Sequence, residues 1–242
     1  PPYTEMSSGV RCLYVLCHHL NRLGYKAFVT GAGAPPHLLA PRIGLPLIQA
    51  NRRSGIDDIV IYPEVIAGNP FGGRKVARYL LTRPGLFNSV SLVNGSPVYM
   101  NHALGMAGYG PNDFFMHFAE EFLLDGMQSF QLQLPLIDPE IYRVRDPELD
   151  RHGFVLYSHR HAPMLSELPA WVSSYTIVSM DSPRSAAELA ALYQEHVALI
   201  VWERTAASSE AIQCGCPVIA IPGPTFDPEP SVQRYRGNGY VI

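Results

Sequence analysis

Apolar and polar positions along this chain switch between two periods. From Ser8-Gly9, the residues Val10, Leu13, Tyr14, Cys17, Leu20 and Leu23 recur at three- and four-residue intervals, the stripe of an amphipathic helix, and Gly24 follows as its stop. Tyr25 to Thr30 then reads as a strand, ended by the turn Gly31-Ala32-Gly33-Ala34-Pro35-Pro36. Short apolar runs predict strands over Asp58 to Tyr62, Ser89 to Val93 and Asp113 to Phe118, and a helix is expected over Arg74 to Thr82, halted by Pro84. The second half repeats the pattern, with strands over Phe154 to Ser158, Thr176 to Met180, Val197 to Trp202 and Val218 to Ile221. Ser185-Ala186-Ala187-Glu188 has capping-box spacing ahead of Leu189, Leu192 and Tyr193. This alternation predicts an α/β fold with parallel sheets covered on both faces. The proline-containing polar stretch from Asp138 to Asp150 reads as a linker between two Rossmann-like halves, residues 1–137 and 151–242.

Candidate chemistry concentrates between Trp202 and Ala220. There an apolar strand runs into Glu203, a loop of small and hydroxyl residues follows, and a short helical segment carries Glu210 before stopping at Gly215. A loop opening onto a helix start presents unpaired N–H groups and the positive end of the helix dipole, which favour phosphate. Thr205, Ala206, Ala207 and Ser208 are the candidates to cradle it, and Glu210, one turn into the helix, is placed to accept hydrogen bonds from a sugar diol. Together they suggest a nucleotide-sugar site. In an α/β sheet such a site lies beyond the carboxyl ends of the strands, where Glu203 falls.

The segment Glu203, Glu210-Ala211, Cys214-Gly215-Cys216-Pro217-Val218-Ile219 resembles the signature of glycosyltransferases of the two-domain GT-B fold, particularly the family 4-like retaining enzymes. The spacing departs from that pattern: six residues separate the two glutamates here, where the family usually has seven, and Arg204-Thr205-Ala206-Ala207 replaces a glycine-rich loop. The resemblance covers the C-terminal half well and the N-terminal half loosely. It implies two Rossmann-like domains facing across a cleft, an acceptor-side domain first and a donor domain second, in a chain that is either truncated at its ends or a compact variant.

It further implies transfer of a sugar from a UDP-, GDP- or dTDP-sugar to a carbohydrate or other hydroxyl acceptor, as in polysaccharide biosynthesis, with retention and without a metal or other cofactor. Glu203 would orient the donor sugar and Glu210 hold the ribose. Arg160, in the turn Tyr157-Ser158-His159-Arg160, would meet the diphosphate with a guanidinium suited to bidentate contact. Ser8 and Gly9 match the small-residue loop facing the phosphates, though an ordinary helix cap accounts for them equally. Two other classes remain open: a nucleotide-sugar epimerase, and a non-catalytic module that binds nucleotide sugar or glycan.

Composition narrows the partners. The formal net charge of -3 gives no basic footprint for nucleic acid. No apolar run reaches the length of a membrane span and no signal-peptide pattern is visible, so the expectation is a soluble, cytoplasmic chain with at most peripheral membrane association. Cys12, Cys17, Cys214 and Cys216 are spaced poorly for zinc and read as buried free thiols. No Asp-x-Asp occurs, consistent with metal-independent chemistry in which helix dipoles and cationic groups stabilise the leaving diphosphate. Gly68-Asn69-Pro70-Phe71-Gly72-Gly73-Arg74-Lys75 invites comparison with a phosphate-binding loop, but its lysine is one position late and Val76 stands where a hydroxyl belongs, so it reads as a flexible loop before a helix. His18-His19 and His159-Arg160-His161 lack further ligands nearby, and Glu120-Glu121 reads as facing water.

Overall fold

The computed structural model describes residues 7–29, 39–40, 45–46, 57–66, 68–84, 89–93, 96–100, 109–144, 150–158, 166, 168–172, 174–179, 184–223, 226–228 and 240–241. It divides into two compact units, Pro1–Ala40 with Leu45–Leu136, and Pro41–Gly44 with Ile137–Ile242. Among the described residues no helix is long and apolar enough to cross a membrane.

The first unit opens with the expected helix, α1, Ser8–Arg22, but of the expected stripe only Tyr14 and Cys17 are buried, together with Arg11, Cys12, Val15 and Leu16, while Leu23 follows the helix and is exposed. Its cap is Ser7, whose hydroxyl accepts the Val10 amide at 3.3 Å. At the other end Gly24 takes φ 90°, and the Gly24 and Tyr25 amides donate to the carbonyls of Asn21 and Leu20. These two bonds form a Schellman motif, the physical content of the glycine stop. The short strands β1, Leu39–Ala40, and β2, Leu45–Pro46, pair antiparallel. Then follow β3, Ile59–Pro63, β4, Lys75–Leu80, the antiparallel pair β5, Ser89–Val93, and β6, Ser96–Met100, and β7, Phe114–His117, and β8, Phe130–Gln131. Strands β3, β4, β7 and β8 lie in that order in one parallel sheet. Cys12 and Leu16 of α1 pack on Tyr79, Ile61 and Met116, while Leu80, Ala119 and Phe122 form a separate cluster.

Two expectations fail here. Lys75–Leu80 is a strand, not the helix expected over Arg74 to Thr82. Val76, Tyr79 and Leu80 sit at helical intervals, but the run has only six residues between Arg74 and Leu81. Placed between β3 and β7, it is buried on both faces from Ala77 to Leu80, as an inner parallel strand must be. Tyr25 to Thr30 is not a strand: residues 25–28 are irregular, Val29 holds an isolated bridge, and Thr30 lies outside the described residues, as does the turn after it.

Among the described residues of the β3–β4 crossover, 64–66 and 68–74, there is no helix to satisfy the backbone. A buried guanidinium does part of that work instead. Arg78 donates from Nε to Asp113 Oδ2 at 2.6 Å, from Nη1 to the Ile66 carbonyl at 2.7 Å, and from Nη2 to the Gly68 carbonyl. Its Cζ lies 4.9 Å from the Tyr62 ring centroid and 5.1 Å from that of Tyr109, within cation–π range. Asn69 closes the loop: its Oδ1 accepts from Tyr62 Oη and the Gly73 amide, and its Nδ2 donates to the Gly73 carbonyl at 2.7 Å. The expected flexible loop is thus wired by side chains.

Glu64, directly after β3, is a buried carboxyl, with Oε2 accepting the Leu81 amide at 2.8 Å. Burial pushes it up from 4.5 to about 7, and the amides of Leu81, Glu64 and Thr82 offset only part of that rise.

The second unit contains β9, Phe154–Ser158, β10, Tyr175–Ser179, helix α2, Ala186–Glu195, β11, Ala198–Val201, helix α3, Ala207–Gln213, β12, Val218–Ala220, and β13, Tyr240–Val241. Its five strands are parallel in the order β10-β9-β11-β12-β13. The capping box is complete: Ser185 Oγ accepts the Glu188 amide at 3.3 Å, and Glu188 Oε2 accepts the Ser185 amide at 2.7 Å. One core cluster joins Val155, Leu199 and Val201 to Leu189, Tyr193 and Ala211. Within the stretch expected as a linker, Tyr142 is fully buried in that same cluster, and residues 145–149 lie outside the described set. Arg151 donates to the carbonyls of Tyr193, His196 and Cys214, placing its charge at the C-terminal ends of α2 and α3, where the helix dipoles favour a cation. The chain is thus an α/β protein with two parallel sheets.

Two stability measurements check these assignments. Arg78→Ala leaves Asp113 buried without its cation and should lower the unfolding free energy of the first unit by about 3–5 kcal/mol in urea titration. Glu64, its pKa raised on folding, contributes stability that is complete below its unfolded pKa near 4.5 and is lost as pH rises through about 7. Glu64→Gln should remove a pH-dependent term of roughly 3 kcal/mol across that window. A midpoint-versus-pH curve unchanged by the substitution contradicts the assignment.

Candidate functional site

In the second unit the chain leaves β9 for β10 on one side, then returns to place β11 on the other. The carboxyl ends of β9 and β11 therefore diverge into connections running in opposite directions. That is the topological switch point of a doubly wound sheet, where its ligands bind. Ser158 ends β9 there and is buried; Trp202 and Glu203 continue from the end of β11.

The predicted donor-site residues are contiguous on this edge. Strand β11 is buried at every position, which fixes the place where the chain emerges. Glu203 is 3 % exposed and Glu210 1 % exposed, so both carboxylates are enclosed by protein. Between them Thr205 Oγ1 accepts the Ala207 amide at 3.2 Å, folding the loop into the first turn of α3. Ala206 occupies the cap position without a side-chain bond, and its carbonyl accepts the amides of Ser209 and Glu210. At the far end Gly215 has φ 70°, and the Gly215 and Cys216 amides donate to the carbonyls of Ile212 and Ala211 at 2.9 Å. This second Schellman motif turns α3 abruptly into β12, so the short helix stands directly over the sheet edge.

Two polar atoms at this edge are buried with no hydrogen-bond partner among the described residues: Ser208 Oγ and Trp202 Nε1. Trp202 packs with Leu156 and Ile200 beneath the end of β11. Gly223 crosses directly above it, where a Cβ would overlap the Trp202 carbonyl, so only glycine lets the segment after β12 close on β11. The Ile221 amide fixes that approach by donating to the Val201 carbonyl at 2.8 Å.

Arg160, with His159 and His161, lies outside the described residues. Ser8 and Gly9 belong to the first unit, where Ser7 rather than Ser8 caps α1 and Gly9 lies against Leu81. Ser158, Trp202 and Gly223 had not been singled out from the sequence as site residues. The signal for Gly223 was Pro222-Gly223-Pro224 directly after a strand. Among the described residues no three His, Cys, Asp or Glu side chains cluster as metal ligands. All four cysteines are free and buried, and burial pushes the thiols of Cys214 and Cys216 up to about 11 and 12, so neither is a nucleophile at neutral pH.

Removing a hydroxyl that is desolvated and unbonded should cost nothing: Ser208→Ala is expected to leave stability unchanged or to raise it by up to about 1 kcal/mol in urea titration. A loss larger than that would assign the hydroxyl a structural partner. Compared with family models, with curated proteins and with solved structures, the chain has no match in any of the three.

Proposed function

We propose that the second unit binds a nucleotide sugar at the β9/β11 switch point and that the chain is a glycosyltransferase of the GT-B type, with an acceptor-side domain preceding the donor domain. The observation that carries this reading is the coincidence of two independent features. The sheet order reverses at β9 and β11, the kind of place where doubly wound sheets take ligands, and the Glu203-to-Glu210 segment starts from the carboxyl end of β11. The parallel order supports a nucleotide-binding fold; the two glutamates and the buried Ser208 hydroxyl support a polyhydroxylated, phosphorylated ligand.

In this proposal the diphosphate lies against the loop from Arg204 to Ala206 and the first turn of α3. Glu203 orients the donor sugar and Glu210 receives the ribose hydroxyls, which requires the segment around Glu210 to open enough to admit them. The acceptor hydroxyl oxygen bonds to the anomeric carbon as the bond to the diphosphate breaks. The electron pair leaves with the diphosphate, the hydroxyl proton passes to a leaving-group oxygen, and configuration is retained. Arg160 balances the charge that develops on the diphosphate.

Calorimetry with UDP-, GDP- and dTDP-sugars, followed by product analysis with and without a carbohydrate acceptor, tests the reading. Glu210→Ala should weaken nucleotide binding by about 1–3 kcal/mol, the cost of losing a charged hydrogen-bond partner. Glu203→Gln should keep the nucleotide bound while losing transfer, and Arg160→Ala should lower kcat more than it raises KM. Transfer is expected to survive EDTA. Wild-type affinity in Glu210→Ala and wild-type rates in the other two variants would remove this segment from the mechanism. Donor binding without transfer would instead identify a binding module.

A further inference from the structure

The first unit carries a groove of about 450 Å³ that the proposed donor chemistry does not use. It lies at the amino edge of the sheet, where β7 and β8 begin, and its wall is the crossover between them. Phe114 and Phe130 form one side as a stacked pair, ring centroids 5.2 Å apart and planes 17° from parallel. They are 49 % and 67 % exposed, although α1 packs on Tyr79, Ile61 and Met116 of the same sheet. Leu124 and Met127 add apolar surface, and Asp125 and Gln128 place a carboxylate and an amide on the same crossover. Exposed aromatic rings collected at a concave surface mark recognition rather than packing.

The lining selects among ligands. Among the described residues no lysine or arginine lines the groove, which disfavours phosphates and other anions. Asp113 also borders it, but its carboxylate is already held by Arg78 and by the Gly110 amide at 2.9 Å, leaving Asp125 as the uncommitted acid. Strand β8 is an edge of the sheet but only two residues long, too short a ladder to template an added peptide strand. Flat aromatic faces beside one carboxylate and one amide match a pyranose ring, which presents C–H groups on a face and hydroxyls around its rim.

We propose that this groove is a carbohydrate-binding subsite, with sugar rings laid on Phe114 and Phe130 and their hydroxyls bonded to Asp125 and Gln128. It lies wholly in the first unit and does not depend on the nucleotide-sugar reading, so either can fail without the other.

The test is saturation-transfer NMR on the whole chain with maltohexaose, cellohexaose and chitohexaose as probes, irradiating aromatic protons and reading sugar C–H protons. At least one probe should take up saturation. Phe130→Ala should weaken that probe's affinity about tenfold, the usual effect of truncating an aromatic anchor, and Phe130→Trp should retain it. Because Phe130 is largely exposed, the variants are expected to fold, and Phe114→Ala provides an independent second truncation. No saturation with any of the three probes, or equal binding by both alanine variants, overturns the proposal. So does preferential uptake of oligolysine, which would make the rings a cation site, or a concentration-dependent dimer abolished by Phe130→Ala, which would make them an interface.

Discussion

Parallel pairing is the constraint on which both units depend. Two adjacent parallel strands leave the chain at the wrong end of the sheet, so every connection must travel back across it, and the backbone groups of that return path must find partners. The second unit meets the demand with helices that carry their own hydrogen bonds: α2 between β10 and β11, and α3 between β11 and β12. The described residues of the first unit's β3–β4 return form no helix, and there Arg78 takes the carbonyls of Ile66 and Gly68 while Asn69 clips the loop to Gly73. A guanidinium suits that task because its donors point in several fixed directions at once and stay charged when buried.

The same constraint explains where chemistry can collect. Because all strands of a sheet end on one edge, their following loops are gathered there, and a reversal of strand order opens a crevice among them. In the second unit the reversal falls between β9 and β11, which brings Ser158, Glu203 and the start of α3 to one edge. In the first unit the described parallel strands succeed one another in chain order, and the exposed aromatic groove lies at the opposite, amino edge. One chain thus places its two candidate surfaces on opposite kinds of sheet edge.

The sequence made local features legible wherever a short-range rule governed them. The Gly24 stop of α1, the Ser185–Glu188 capping box and the Gly215 stop all depend on contacts within five residues, and each appears as read, whereas the buried face of α1, set by the sheet it packs on, is not the expected stripe. Strands β9, β11 and β12 were recognisable because buried parallel strands are continuous apolar runs bounded by polar ones. Lys75–Leu80 was not, because a six-residue inner strand with apolar residues on both faces imitates helical spacing, and its identity is decided by pairing to Ile59–Pro63 and Phe114–His117 far along the chain. Arg78 was invisible for the same reason: its acceptors come from a loop ten and twelve residues before it and from Asp113, thirty-five residues on. At the carboxyl edge of the second unit's sheet, the sequence pointed to Glu203 and Glu210 but not to their burial, since enclosure arises from strands paired on either side.

The cysteines carry one more consequence. Each unit encloses two free thiols, Cys12 and Cys17 in the first, Cys214 and Cys216 in the second, all held protonated well above neutral pH by burial. A thiol in that state meets an alkylating reagent only when the structure around it opens. Nature has therefore placed a pair of chemical clocks inside each unit. With mass spectrometry resolving which pair is modified, their rates time the opening of one unit separately from the other, without a single introduced label.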